Sequence, residues 1–268
     1  MRDHQNPMAA SEDEVHRMTG DLDALHHDVG MPAMKASLAE WREHLRSGTT
    51  KPTSRRVFLL GTGGLIGAGA LAAACSSSPS STSKAAAAGA SAGTSGSATQ
   101  AQLSGDLAVA ALAASLENLA VYAYGAAISA AKAGKLGTVP PAISQFAVTV
   151  RTQHVQHAAA WNSILTAAGK KRVTVTDPTL TPTVNQKFAQ VTNVTELGQL
   201  ALLLENIAAQ TYQAEASKLH SSKAVAVAST IQPVEMQHAA ILYYVLGEYP
   251  GIQNSSGPLA FNPTTQAA

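Results

Sequence analysis

Cysteine is almost missing from this chain. Cys75 is the only one among 268 residues, so no disulfide can form within it, and that single thiol needs a separate explanation. Charge is also sparse: 13% of residues are charged and the formal net charge is +1. Such a chain has no basic field with which to hold nucleic acid. Aromatic residues make up 4%, whereas alanine, the strongest helix former, is abundant. The length suits one or two domains.

The neighbours of Cys75 account for it. Residues 54–75 read SRRVFLLGTGGLIGAGALAAAC: a basic pair, Arg55 and Arg56, then an apolar run, then small residues, which is signal-peptide order. The run from Val57 to Ala74 is about as long as a minimal membrane span, but it is rich in Gly and Ala and only weakly hydrophobic. The SRRVFL start resembles the twin-arginine export signal of bacteria, with Leu60 where a lysine is common. The LAAAC end resembles a lipoprotein-processing box, although Leu71 stands one place further from the cysteine than usual. The resemblance implies that Cys75 is the lipidated N-terminus of a mature protein. It also implies a membrane partner through that lipid, passage through the twin-arginine machinery, and a location on the outer face of the cytoplasmic membrane or in the cell envelope. Cleavage after Ala72-x-Ala74 would instead leave a secreted protein with a free thiol, and an uncleaved anchor is a third arrangement.

Residues 1–53 form a polar extension with one helix-like segment, MPAMKASLAEWREHL. Translation from Met31 or Met34 would reduce the extension to an ordinary leader. The histidines here (His4, His16, His26, His27 and His44) lack a spacing that would make a site and read as solvent-exposed. Residues 76–104 are a Ser/Ala/Gly tract with almost no large apolar residue. Such a tract cannot bury a core and reads as a flexible tether. It suits an anchored protein.

From residue 105 the pattern becomes helical. The stretch 105–135 has no proline, is rich in Ala and Leu, and carries Val109, Leu112, Leu116, Leu119 and Ala120 at helical spacing. Pro140 and Pro141 open a second helix that runs to about Ala168 and stops at Gly169. A long connection with Pro178 and Pro182 lacks a sustained period. A third helix is expected from about Thr195 to Leu219, and a fourth from about Lys223 to Leu246, closed by Gly247 and Pro250. Short, long and short links between four helices describe an all-α four-helix bundle with one long crossover between its second and third helices. It spans 105–250, with an irregular tail at 251–268.

The two helical pairs resemble each other. LENLAVYAY at 116–124 matches LENIAAQTY at 204–212, and QHAA recurs at 156–159 and 237–240. Glu117 and Glu205 are 88 residues apart, while His157 and His238 are 81 apart. Duplication of one helical pair accounts for both, and it predicts an approximate two-fold axis that brings matching residues together. Glu117 and Glu205 lie in apolar runs, where an ionised carboxylate is costly unless paired or bound to metal. The second and fourth helices offer His154/His157 and Glu235/His238. Each pair is spaced i, i+3 on one helical face.

Glutamates from two helices and Glu-x-x-His pairs from two others form the carboxylate di-metal scaffold. Residues 105–250 thus resemble the ferritin-like superfamily, and most of all the exported bacterial ferritin-like domains behind twin-arginine signals. The resemblance implies a metal site of Glu117, His154, His157, Glu205, Glu235 and His238, with iron foremost as the ion and manganese, zinc or copper as alternatives. It implies oxidase or ferroxidase-type chemistry, with no catalytic residue assigned. His154 departs from the family pattern, which has glutamate there. Three carboxylates and three imidazoles imply a weaker, asymmetric or single-metal centre, with binding expected to weaken below about pH 6 as the histidines protonate. Tyr124 and Tyr212, two turns from their glutamates, are expected to pack in the core or to hydrogen-bond the ligand carboxylates. Pro233 is expected to kink the fourth helix. The competing reading is a metal-free helical module for interactions at the cell surface, its Glu/His cluster structural. The oligomeric state is left open, although a lipid-anchored, tethered chain does not suit a closed cage.

Overall fold

In the computed structural model, residues 10–47, 103 and 105–248 are described. The export signal with Arg55 and Arg56, Cys75, most of the tether and the tail lie outside the described residues.

The four expected helices form. We label the elements α1 (Glu12–Leu25), a π-helical turn (His26–Gly30), α2 (Met31–Ser47), α3 (Asp106–Lys132), α4 (Pro141–Ala167), α5 (Thr181–Phe188), α6 (Val194–Ala216) and α7 (Ser222–Leu246). Local signals set their ends. Pro141 starts α4 at a first-turn position where its missing N–H costs nothing. The Asn193 side chain accepts from the Glu196 N–H at 2.9 Å to cap α6. Gly247, at φ 71°, ends α7 in the left-handed conformation that glycine adopts without strain. α7 continues through Pro233.

α3 pairs with α4 and α6 with α7, and the two hairpins meet chiefly through α3 and α6. The crossover is pinned to the first hairpin. Asn118 Nδ2 donates to the Val173 carbonyl (2.9 Å), the Asn162 carboxamide accepts from the Val173 N–H (2.7 Å), and the buried Asp177 N–H donates to the Ser115 carbonyl (3.1 Å). The crossover also contains the short helix α5, which the sequence pattern did not reveal. Its eight residues are too few to display a period.

The N-terminal segment differs from its expected character. The segment around MPAMKASLAEWREHL is helical, as α2, but α1 precedes it and both pack on the bundle along the seam between α4 and α7. Val15, Thr19, Leu22 and His26 are all buried. Their spacing of four, three and four residues makes one helical stripe. A capping box between Ser11 and Glu14 starts α1. Glu12 Oε2 accepts from the Ala142 N–H in the first turn of α4 (2.9 Å), and Trp41 packs T-shaped on Trp161 at 6.1 Å between ring centroids.

The core has three layers along the bundle axis. At one end Trp41, Trp161, Ile164, Leu165, Leu219, Val227 and Ile231 form an apolar cluster with Ala110, Ala111, Ala113 and Ala114 of α3. At the other, Phe146, Val150, Leu202, Ile241 and Leu242 pack with Val15 and Leu22. Between these clusters all four bundle helices turn polar side chains inward: Glu117, His154, His157, Glu205, Glu235 and His238, each at most 3% exposed.

Candidate metal centre

All six residues expected to form a site meet in this middle layer. Two sets of four have ligand atoms within 4.8 Å of one another. One set is Glu117, His154, His157 and Glu235; the other is His154, Glu205, Glu235 and His238. His154 and Glu235 belong to both and stand at the middle of the cluster. They occupy matching positions, each three residues before the histidine of its QHAA stretch.

The two shared residues differ in what they already hold. His154 Nδ1 lies 2.8 Å from Glu117 Oε2 and its Nε2 lies 3.3 Å from Glu205 Oε1. Both ring nitrogens therefore face carboxylates, and only an imidazolium has an N–H for each. Glu235 is the reverse case. Its two oxygens are buried and have no hydrogen-bond partner among the described residues. Both nitrogens of His157 are in the same state. His157 Nδ1 comes within 3.0 Å of Glu235 Oε1, but the pair is not aligned for a hydrogen bond. An unpartnered buried polar atom costs about 1–3 kcal/mol, so these atoms are where a cation would repay the burial.

The electrostatics agree with the geometry. Burial alone would depress His157, but the Glu117 carboxylate, with Glu235 behind it, lifts it to about 9. Burial likewise opposes the charge on His154 and His238. Glu235 and Glu205 raise His154 well above its ordinary value, and Glu205 raises His238. Conversely, Glu117 falls to about 2, because the imidazoles of His157 and His154 outweigh its burial. Glu205 falls well below the carboxylate range through His238 and His154. Without metal, protons on the histidines balance the carboxylates. A cation must displace some of them, so the window of proton competition reaches about pH 9 rather than the pH 6 expected from unperturbed imidazole.

The tyrosines are engaged at the cluster rather than only packed. Tyr124 on α3 donates to Glu205 Oε1 on α6 (2.6 Å), and Tyr212 on α6 donates to Glu117 Oε1 on α3 (2.5 Å). The two bonds are reciprocal, each crossing between the same two helices. Burial and the nearby carboxylates push both phenols well above 10, so they remain donors. Trp161 Nε1 donates to the Tyr212 oxygen at 2.6 Å.

Three residues around the cluster escaped the sequence reading. Gln153 is fully buried, and its Oε1 accepts from His238 Nε2–H at 2.9 Å. Asp23 on α1 accepts from Gln153 Nε2 at 3.3 Å. His26, in the π-helical turn, is 3% exposed rather than solvent-exposed, and its ring packs T-shaped on His157 at 5.3 Å between centroids. His16 and His27 are exposed as expected. The capping box and the 15/19/22/26 stripe were the readable signals for α1 and His26. Nothing in the sequence marked Gln153 beyond its place next to His154.

The donor set fits a transition-metal ion. Imidazole and carboxylate suit iron, zinc, copper or manganese, and the four-helix layout is that of the carboxylate-bridged metal bundles. A family model described as "Ferritin-like domain" matches residues 105–248. Neither the curated proteins nor the solved structures yielded a match. The matched span takes in the four bundle helices and all six residues of the polar layer, and the chain belongs to the ferritin-like domain family.

Proposed function

We propose that this chain binds one divalent transition-metal ion in the polar layer, with iron first among the candidates, and that it acts outside the cytoplasm as a membrane-tethered metal protein. The observation that carries the reading is the group of buried, unpartnered atoms on Glu235 and His157, set among Glu117, Glu205 and His238. Glu235 would hold the ion, with Glu205 and His238 in one ligand set or with Glu117 and His157 in the other, while His154 keeps its proton and ties Glu117 to Glu205. One divalent ion and one imidazolium together offset three carboxylates. Two divalent ions would leave an excess of positive charge unless an anion bridged them.

A bound iron would supply one-electron chemistry toward dioxygen or peroxide, which is the ferroxidase-type activity we assign to the site. The chain's own residues bury the centre and hold the carboxylate orientations through Tyr124 and Tyr212. The two halves of the bundle are, on this reading, products of one duplicated helical pair, in keeping with the reciprocal tyrosine bonds. Export by the twin-arginine route, lipid attachment at Cys75 and the Ser/Ala/Gly tether complete the proposal. That route carries folded proteins, so the ion would be loaded before export. Inductively coupled plasma analysis of the full chain, purified without chelator and after anaerobic ferrous loading, tests the metal. Close to one equivalent supports the reading, and less than about a tenth of an equivalent with no uptake would end it.

A second reading has its own support: in the absence of an ion the three imidazoles already balance the three carboxylates. The cluster would then be structural and the chain a cell-surface interaction module. A melting temperature that drops on chelation contradicts that reading.

A further inference from the structure

The face of the cluster turned toward α1 and α2 has a polarity of its own. On the inner side of His238, Nδ1 points at Glu205 Oε2 (3.1 Å) and Glu235 Oε2 (3.6 Å). On its outer side, Nε2 meets Gln153 Oε1 at 2.9 Å. A carboxamide can present either oxygen or nitrogen to a neighbour, and Asp23 decides which. Its carboxylate can only accept, so the Gln153 amide nitrogen turns toward it (3.3 Å) and the amide oxygen is left for His238. That oxygen requires a proton on His238 Nε2. A histidine with its single proton on Nε2 has its lone pair on Nδ1, which faces the two glutamates.

We propose that the N-terminal helical pair is an outer shell of the metal centre, with Asp23 as the positioning residue that fixes, through Gln153, the nitrogen His238 offers to the ion. The proposal rests on the metal reading above. It assigns a role to residues that lie outside the span matched by the family, 105–248.

The opposite half of the centre shows why such a device matters. Val234 stands 81 residues after Gln153, at the same step before its Glu/His pair, and offers no amide. His157 Nε2 accordingly has no hydrogen-bond partner among the described residues. What it receives from the N-terminal segment is packing: the His26 ring at 5.3 Å, itself held by donation from its Nε2–H to Gln156 Oε1 at 2.7 Å. The same segment thus supports both imidazoles that lie toward the α4–α7 seam, one by a hydrogen-bond relay and one by contact. Partners of this kind are typically worth 10–100-fold in metal affinity.

The test uses the full chain, stripped of metal and titrated with zinc, a diamagnetic probe. Native protein is compared with Asp23→Ala and Gln153→Met, and with Arg46→Ala as a control. Arg46 lies on α2 and, among the described residues, pairs with the exposed Glu43. Asp23 is half-exposed, so its loss leaves the helices intact, which circular dichroism checks. If Gln153→Met does not fold, Asp23→Ala alone decides. The expected result is a loss of about tenfold or more in zinc affinity for both variants, with Arg46→Ala unchanged. In long-range 1H–15N spectra of the zinc-loaded native chain, His238 binds through Nδ1 and keeps a slowly exchanging Nε2–H. That signal exchanges rapidly in Asp23→Ala and disappears in Gln153→Met. Variants that bind zinc within about twofold of native, with an unchanged His238 spectrum, overturn the proposal. A native chain that takes up no zinc overturns the metal reading instead, and the two failures are distinct.

Discussion

α3 and α4 furnish the centre with Glu117, His154 and His157, whereas α6 and α7 furnish it with Glu205, Glu235 and His238. The two halves differ at one of three positions, yet their atoms are committed differently. In the first half the variable residue is saturated, because His154 ties both outer glutamates with its two nitrogens. In the second it is held by charge alone: Glu235 is as deeply buried and lies 3.0 Å from His157 Nδ1, but neither oxygen has a hydrogen-bond partner among the described residues. The histidines reverse this order. His238 is held on both sides by Glu205 and Gln153, while the His157 ring has no hydrogen-bond partner among the described residues. One substitution, imidazole for carboxylate, thus makes a residue that neutralises its neighbours out of one that needs a cation. On the proposed reading, the layer then balances with a single divalent ion.

The comparison breaks most directly at its two shared residues. Glu235→Gln should lower metal affinity by about 100-fold or more, since it alters a residue shared by both sets of ligand atoms. The melting temperature of the metal-free chain should also fall, because the Glu235 carboxylate lies 3.0 Å from His157, 3.6 Å from His238 and 3.8 Å from His154, and its neutralisation leaves buried imidazolium charge uncompensated. Isothermal titration and calorimetric melts report the two separately. His154→Glu should instead raise iron stoichiometry from one toward two. It should cost roughly 3 kcal/mol of metal-free stability in denaturant melts, by removing the imidazolium between two buried carboxylates.

Next comes pH. The folded His157 titrates at about 9 against an ordinary 6.5. Its stabilisation of the metal-free chain is therefore complete below 6.5 and lost as pH rises through about 9. Glu117, held at about 2, contributes above 4.5 and loses that contribution as pH falls through about 2. Metal-free melts should peak between these windows and decline toward pH 9, while metal affinity climbs over the same interval. Flat melts from pH 6.5 to 9 would contradict the imidazolium account.

The smallest effects belong to the tyrosines. Tyr124→Phe should cost about 1.5 kcal/mol for a lost bond to a charged carboxylate. Tyr212→Phe should cost more, because it also strands the buried Trp161 Nε1. Equal costs would show that the Trp161 bond contributes nothing.

Helix ends and the polar layer were readable because each rests on a local signal. Pro141 and Gly247 have the cap chemistry of their positions, and glutamates in an Ala/Leu run are conspicuous. The six clustered residues follow from the i, i+3 pairs and their repetition. The docking of α1 and α2 was not readable, since it joins segments separated by more than fifty residues and its partners lie on a seam. A hydroxyl two turns from its own glutamate reaches the other half's carboxylate only once the two hairpins are set face to face. Gln153 was invisible for a related reason, because its amide takes meaning only from Asp23 and His238, on two other helices.

The central claim is that the middle layer holds a single transition-metal ion on Glu235. The most direct measurement is an anaerobic ferrous titration of the full chain beside Glu235→Gln, with bound iron counted after desalting. The account predicts close to one iron per native chain and almost none in the variant. Two irons per native chain, or equal iron in both proteins, would contradict it.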